Sequence, residues 1–285
     1  MTSMNALVLG GGGPVGVAWT SALLHELVSS GLSPAEFEVV LGTSAGSVVG
    51  AWLTMQPDGL STLPRRMLDR AEWHARNTES GYGDRELLRR VVAGSTRDAE
   101  SARSIGRAAI AAIPPIPAEQ AEALWSATLP EGPWPERLRV TSVDAGTGVA
   151  KAWSATDGSS LAAAVSCSTA APGAAPPVAL AGSVWVDGAV RSGTNADLVL
   201  DIGSARRGRV LVLAPLPNGN LAREETILVE HGYHVTVITA EPFYGTVADL
   251  MNPRFVKIAE TAGAQQAGAV AKDLATWWNA GPRRT

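Results

Sequence analysis

The stretch ALVLGGGGPVGVAWTSALLHELVSSGLSPAEFEVVLGTSAGSVVGAWLTM, residues 6–55, alternates two kinds of periodicity. Ala6–Leu9 is a short apolar run that stops at four glycines, Gly10–Gly13. From Pro14 to Val28 the apolar residues return at helical spacing, with Val17, Leu24, Leu27 and Val28 on one face. Pro14 just inside the start and Gly31 just past the end bracket that helix. A second apolar run, Phe37–Leu41, leads into Gly42-Thr43-Ser44-Ala45-Gly46 and an apolar helix to about Met55. Strand–helix–strand–helix predicts an α/β fold, a three-layer α/β/α sandwich with a mostly parallel central sheet.

Farther along, residues 60–130 carry helical stretches at Leu60–Arg76, Asp84–Val92, Ser101–Ile113 and Ala118–Ala127, broken by Pro114, Pro115 and Pro117, with no good strand. This region reads as a helical insertion within a single domain spanning 1–285. Strand patterns return at Leu138–Val143, Val149–Trp153, Val184–Val186, Val210–Ala214 and Val235–Thr239. Ser159–Ser166 reads as a short helix, Ala170–Ala181 as mostly irregular, and Pro253–Trp278 as a closing helix.

A composition of 46% hydrophobic and 18% charged residues excludes a disordered chain. A net charge of −4 gives no general footprint for nucleic acid. The lone Cys167 cannot form an internal disulfide, which excludes a stapled secreted scaffold. No window approaches the roughly 18 uninterrupted apolar residues of a membrane span. The N-terminus lacks a basic segment and a long apolar run. The expectation is a soluble, cytoplasmic protein.

Ser44 stands in a G-x-S-x-G pattern between a predicted strand and a predicted helix, the setting in which such a serine becomes a nucleophile. Gly42 and Gly46 keep the turn small, and the helix start favours developing negative charge. The bland alternative is a serine N-cap in a glycine-rich turn. Gly10–Gly13 supports two functional readings. Gly11, Gly13 and Gly16 fit a dinucleotide fingerprint, which expects an acidic residue at the end of the second strand; that strand ends at Leu41. The glycine amides also suit an oxyanion hole, with donors drawn from Gly11, Gly12 and Gly13, because Pro14 has no N–H. The second is favoured, since neighbouring first and second strands would bring both loops to one edge. Close helix–strand packing through glycine is the structural alternative.

A serine nucleophile needs a base. His25 and His74 lie in predicted helices, and His231 and His234 precede a strand, so each reads as structural or surface. Asp187 follows a strand and opens the turn Asp187-Gly188. By itself that pair is an ordinary turn.

Three motifs occur in order: Gly11-Gly12-Gly13-Pro14-Val15-Gly16, Gly42-Thr43-Ser44-Ala45-Gly46 and Asp187-Gly188-Ala189. Together they resemble the patatin-like phospholipases, lipid acyl hydrolases with a Ser–Asp dyad. Ala164–Val178, with Ser166, Ser168, Pro172 and Pro177, and Thr194-Asn195-Ala196-Asp197 are also similar to that family, and the likeness covers about residues 5–215. The resemblance implies Ser44 as nucleophile, Asp187 as base, and the Gly11–Gly13 amides as oxyanion hole. One position departs: the family carries Arg or Lys where this chain has Val15. An α/β-hydrolase triad is less suitable, because only two strands precede Ser44.

The expected function is hydrolysis of a lipid acyl ester, a phospholipase A or esterase activity, through an acyl-enzyme, with no metal or cofactor implied. Two rivals are a lipid-binding member of the same fold with decayed catalysis and a nucleotide-binding protein using the glycine loop. The expected partners are a lipid or acyl-ester substrate and, transiently, a membrane surface, with no nucleic acid. The segment 60–130 is expected to line or cover the mouth of the serine site; plain packing on the sheet's far side is the alternative.

Overall fold

The computed structural model describes residues 3–77, 85–92, 98–202, 207–216, 219–241 and 244–279. The chain opens with β1 (Met4–Leu9), α1 (Gly13–Ser29), β2 (Val39–Thr43) and α2 (Ala45–Met55). In β1, Leu7 and Leu9 enter one core while Ala6 and Val8 enter another, so both faces are buried. A strand covered on both sides reads as a continuous apolar run rather than an alternation. β1 and β2 are parallel neighbours, with Leu9 opposite Gly42, as the adjacency of the two loops requires.

The 60–130 segment contains α3 (Leu63–Asn77), α4 (Arg85–Val92), α5 (Ala99–Ala112), β3 (Ile116–Pro117) and α6 (Ala118–Ser126). The two-residue β3 corrects the expectation of no strand here. It lies at the edge of the sheet, where a proline such as Pro117 is tolerated. There follow β4 (Leu138–Asp144), β5 (Ala150–Trp153), α7 (Leu161–Ser168), β6 (Val178–Leu180), β7 (Ser183–Asp187), α8 (Val199–Ile202), β8 (Gly208–Ala214), α9 (Leu221–Glu230), β9 (Tyr233–Thr239) and α10 (Pro253–Asn279). Part of the stretch Ala170–Ala181 is thus the short strand β6, and α9 is an element the sequence reading lacked.

The sheet order is β3-β6-β7-β4-β2-β1-β8-β9, with β5 also on β4. From β4 to β9 along this order every pairing is parallel, while β5, β6 and β7 pair antiparallel with their neighbours on the β4 side. One layer, built from α1, α2, α3, α6, α7 and α10, covers one face through Trp19, Leu24, Val48, Met67, Trp125 and Val165. α8 and α9 close the other face through Val199 and Leu228, joined there by α4 and α5 through Leu87 and Ile105. This is a three-layer α/β/α architecture with a mostly parallel sheet.

One detail of register positions the site. β2 pairs with Leu138–Thr141 of β4, β7 pairs with Ser142–Asp144, and β5 pairs with Val140–Val143. A strand has two edges, so β5 takes one and β2 and β7 share the other. β2 and β7 therefore meet head to head, the carboxyl end of each reaching β4 at adjacent residues, Thr141 and Ser142.

Candidate active site

Ser44 occupies the turn between β2 and α2 with φ 53 and ψ −116. A non-glycine residue in that region costs of order 1–3 kcal/mol, and such strain concentrates at functional turns. The flanking glycines make the turn sterically attainable. A Cβ on Gly46 would lie 1.9 Å from the Leu9 carbonyl oxygen, and one on Gly42 2.5 Å from the Gly46 carbonyl oxygen. Thus β1, β2 and α2 approach through glycine alone. The Ser44 N–H is held by Ser168 Oγ of α7 at 2.8 Å.

Asp187 ends β7, coming from the opposite direction, and the head-to-head register puts it beside Ser44. Ser44 Oγ donates to Asp187 Oδ2 at 2.7 Å. The other carboxylate oxygen, Oδ1, accepts from the Ala189 N–H at 2.8 Å. Asp187 is 2% exposed. That burial pushes its pKa from 3.8 up to about 7, against the smaller lowering by the Ala189 amide and the Ser44 hydroxyl. The spacing of 143 positions in the chain is closed by β4, which both strands share.

Residues beyond Asp187 brace the junction. Asn195 has φ 52 and ψ 34, a conformation asparagine tolerates. Its Nδ2 donates to Ser192 O at 2.7 Å, Gly188 O at 3.1 Å and Thr43 Oγ1 at 3.2 Å. It therefore ties the end of β2 to the turn after Asp187. Thr43 Oγ1 lies 2.6 Å from Thr141 Oγ1. Glu224 of α9 supports the same loop through Thr194 Oγ1 and the Ala196 N–H, and burial raises its pKa.

The glycine loop of Gly10–Gly13 also reaches Ser44, but unevenly. The Gly11 N–H donates to Gly193 O at 2.8 Å, which commits it elsewhere. Among the described residues the N–H groups of Gly12 and Gly13 have no partner. The expected trio of donors narrows to these two at the start of α1. Val15 is fully buried in the core and is not among the residues that line the cavity.

Ser44 and Asp187 lie in the wall of a mostly apolar cavity of about 150 Å³, a volume that fits a benzene-sized group. Gly12 and Gly13 at the start of α1, Val48 of α2 and Val178 of β6 form part of the wall. Met67, Arg70, Leu88, Ile116, Leu124 and Trp125 line it from the 60–130 segment, which therefore borders the serine site. Among the described residues no histidine lines this cavity. His25 is half-buried in α1, His231 is exposed at the end of α9, and His234 lies near the start of β9; the side chain of His74 is outside the described residues. Among the described residues no group of three His, Cys, Asp or Glu side chains could hold a metal ion, and no helix is long and apolar enough to cross a membrane. The Cys167 thiol, which burial pushes up to about 12, is inert at neutral pH.

Sequence reasoning named Ser168 and Asn195 without giving either a role, and it passed over Arg70 and Asn220, which line the cavity. Comparison with curated proteins gives no match. The Patatin family, described as patatin-like phospholipase, matches residues 7–200, a span that contains the glycine loop, the Ser44 turn, the Asp187 turn and most of the cavity wall, and the chain belongs to this family of lipid acyl hydrolases.

Proposed function

We propose that the protein hydrolyses acyl esters of lipids with Ser44 as nucleophile and Asp187 as its sole base. The observation that carries this reading is the 2.7 Å hydrogen bond from Ser44 Oγ to a buried Asp187 in the wall of an apolar cavity. An ordinary aspartate is too weak a base at neutral pH. Burial moves this one to about 7, where it can take and return a proton.

Asp187 takes the Ser44 proton as Oγ attacks the ester carbonyl. The tetrahedral oxyanion rests on the N–H groups of Gly12 and Gly13, reinforced by the positive end of α1. The leaving alkoxide takes the proton from Asp187 and departs as the alcohol, leaving an acyl-Ser44. Asp187 then takes a proton from water, the hydroxide attacks the acyl carbonyl, and Ser44 Oγ regains that proton as the fatty acid leaves. α3, α4 and α6 act as the cover through which the acyl chain enters, with Leu124, 47% exposed, at the rim where a lipid surface would touch.

A lipid-binding role without turnover is the second reading, favoured by the burial of Val15 where the family carries a cation. Labelling with a fluorophosphonate probe separates the two, because only an activated serine reacts. Wild type labels and Ser44→Ala does not; with Ser44→Ala, hydrolysis of a p-nitrophenyl ester falls by several orders of magnitude. Activity within tenfold of wild type in that variant overturns the hydrolase reading.

A further inference from the structure

The cavity wall holds one charge for which the Ser44–Asp187 chemistry has no use. Among the described residues that line it only Asp187 and Arg70 ionise. Arg70 lies on α3 one turn after Met67, which lines the same wall. Its guanidinium carbon is 3.9 Å from the centre of the Trp125 ring, and one N–H donates to Leu124 O at 3.3 Å. Among the described residues no carboxylate pairs with it. Its near neighbours on α3 differ: Arg65 pairs with Asp69 in solvent, and Arg66 covers Trp52.

Arg70 is half-buried, and a guanidinium partly withdrawn from water without a counter-ion costs free energy, so proteins normally pair it. Burial lowers the Arg70 pKa to about 10, so it remains cationic at neutral pH. Asp187 does not supply the missing charge: no cation figures among the causes of its shift. Contact with the Trp125 ring holds the guanidinium in place. Five N–H donors are available and Leu124 takes one. The donors left over suit the two-oxygen face of a phosphate or carboxylate.

We propose that Arg70 is a specificity-determining residue that binds an anionic group, a phosphate or a carboxylate, carried by the ester substrate. This rests on the reading of Ser44 as the reacting centre. The ester carbonyl meets Ser44 while the anion meets Arg70 near the exposed Leu124 rim. The protein then prefers anionic lipid esters to neutral ones of equal chain length. A role confined to packing on Trp125 would leave no such preference.

The test is calorimetric binding of three ethers that cannot be hydrolysed: 1-O-octylglycerol, its 3-phosphate, and the corresponding glyceric acid with a carboxylate in place of the phosphate. Wild type is expected to bind at least one anionic ether about tenfold or more tightly than the neutral one, as a charged hydrogen bond would give. Whichever anion binds better identifies the source of the charge. Arg70→Gln is expected to erase the preference and leave neutral-ether binding within about threefold, while Arg70→Lys keeps part of it. Equal binding of all three ethers by wild type overturns the proposal. So does an equal loss for all three in Arg70→Gln with the preference ratio unchanged. If Arg70→Gln does not fold, the wild-type ratio and Arg70→Lys decide. Fluorophosphonate labelling is scored separately. Anion preference without labelling leaves the subsite standing and removes the hydrolase reading; labelling without preference does the reverse.

Discussion

Ser44 leaves the end of a strand in the parallel half of the sheet, whereas Asp187 arrives along an antiparallel strand from the other half. On the Ser44 side the geometry is local. Five residues, Gly42 to Gly46, fix the turn through backbone approaches that no side chain could share. On the Asp187 side almost nothing is local. Its position depends on β7 taking over the edge of β4 one residue beyond the end of β2. The contrast teaches that a hydrogen-bonded pair can join one partner set by sterics to another set by register. The two partners should therefore fail differently.

The largest effect is expected on the register side, from Asp187→Asn. Oδ1 of the amide can still accept the Ala189 N–H, so the turn survives, but the group facing Ser44 can no longer take a proton. We expect kcat to fall about a hundred- to ten-thousandfold with circular dichroism unchanged. A fall of less than tenfold would mean that Ser44 works without this base.

The same residue predicts opposite responses of activity and stability to pH. Folding raises the Asp187 pKa from 3.8 to about 7. A raised carboxyl favours the folded state while it stays protonated. Its contribution is full below about pH 4, declines as pH rises toward 7 and is lost above. The swing is roughly 4 kcal/mol at 1.36 kcal/mol per unit. In the proposed mechanism activity needs the carboxylate, so kcat/KM is expected to rise through the upper part of the same window. Asp187→Asn is neutral throughout. Its melting temperature relative to wild type should increase between pH 4 and pH 8, and a constant difference would refute the shift.

On the steric side, Gly46→Ala is expected to cost about 3 kcal/mol or more, because the new Cβ meets the Leu9 backbone oxygen at 1.9 Å and neither chain can yield. Gly188→Ala supplies the comparison. Its Cβ would meet Thr141 Oγ1 at 2.7 Å and Thr141 O at 2.9 Å, and part of that clash is a side chain that can turn. About 1–3 kcal/mol is expected. Urea melts of the two variants measure the difference, and equal costs would remove the distinction between the two sides.

The two halves also differed in how much of them could be read from residues alone. The β1–α1–β2–α2 run was visible because strand and helix periods and glycine punctuation are written within fifty residues. Asp187 was not visible in that way: an Asp-Gly turn is common, and only the family resemblance singled it out. The head-to-head meeting of β2 and β7 is a property of pairing with β4, which no local pattern encodes. Helix α9 was hidden because Glu224, a buried carboxylate, interrupts the apolar face of Leu221 and Leu228. Strand β3 was hidden because Pro117 reads as a breaker, although an edge strand accepts it. Arg70 carried no signal at all. Its meaning comes from the packing that sets it against Trp125 beside the cavity.

The smallest expected effect tests the bond that spans both halves. Ser168 belongs to α7, which packs against β4 and β7, yet its Oγ accepts the N–H of Ser44 itself. That amide opens α2 and has no intrahelical partner, as at any helix start. Ser168→Ala leaves it buried and unsatisfied, at a cost of about 1–3 kcal/mol. The Ser44 turn is held independently by Gly42 and Gly46, so its shape should persist and kcat should drop only several-fold. If sterics alone position Ser44, the stability loss appears with kcat unchanged. If the α7 side helps to aim the hydroxyl at Asp187, kcat falls while KM stays constant, and fluorophosphonate labelling slows in proportion. Comparing the two readouts in one variant shows how far the register side reaches into the steric one. A loss of kcat as large as that of Asp187→Asn would break the division, since the turn would then depend on α7 as much as on its glycines.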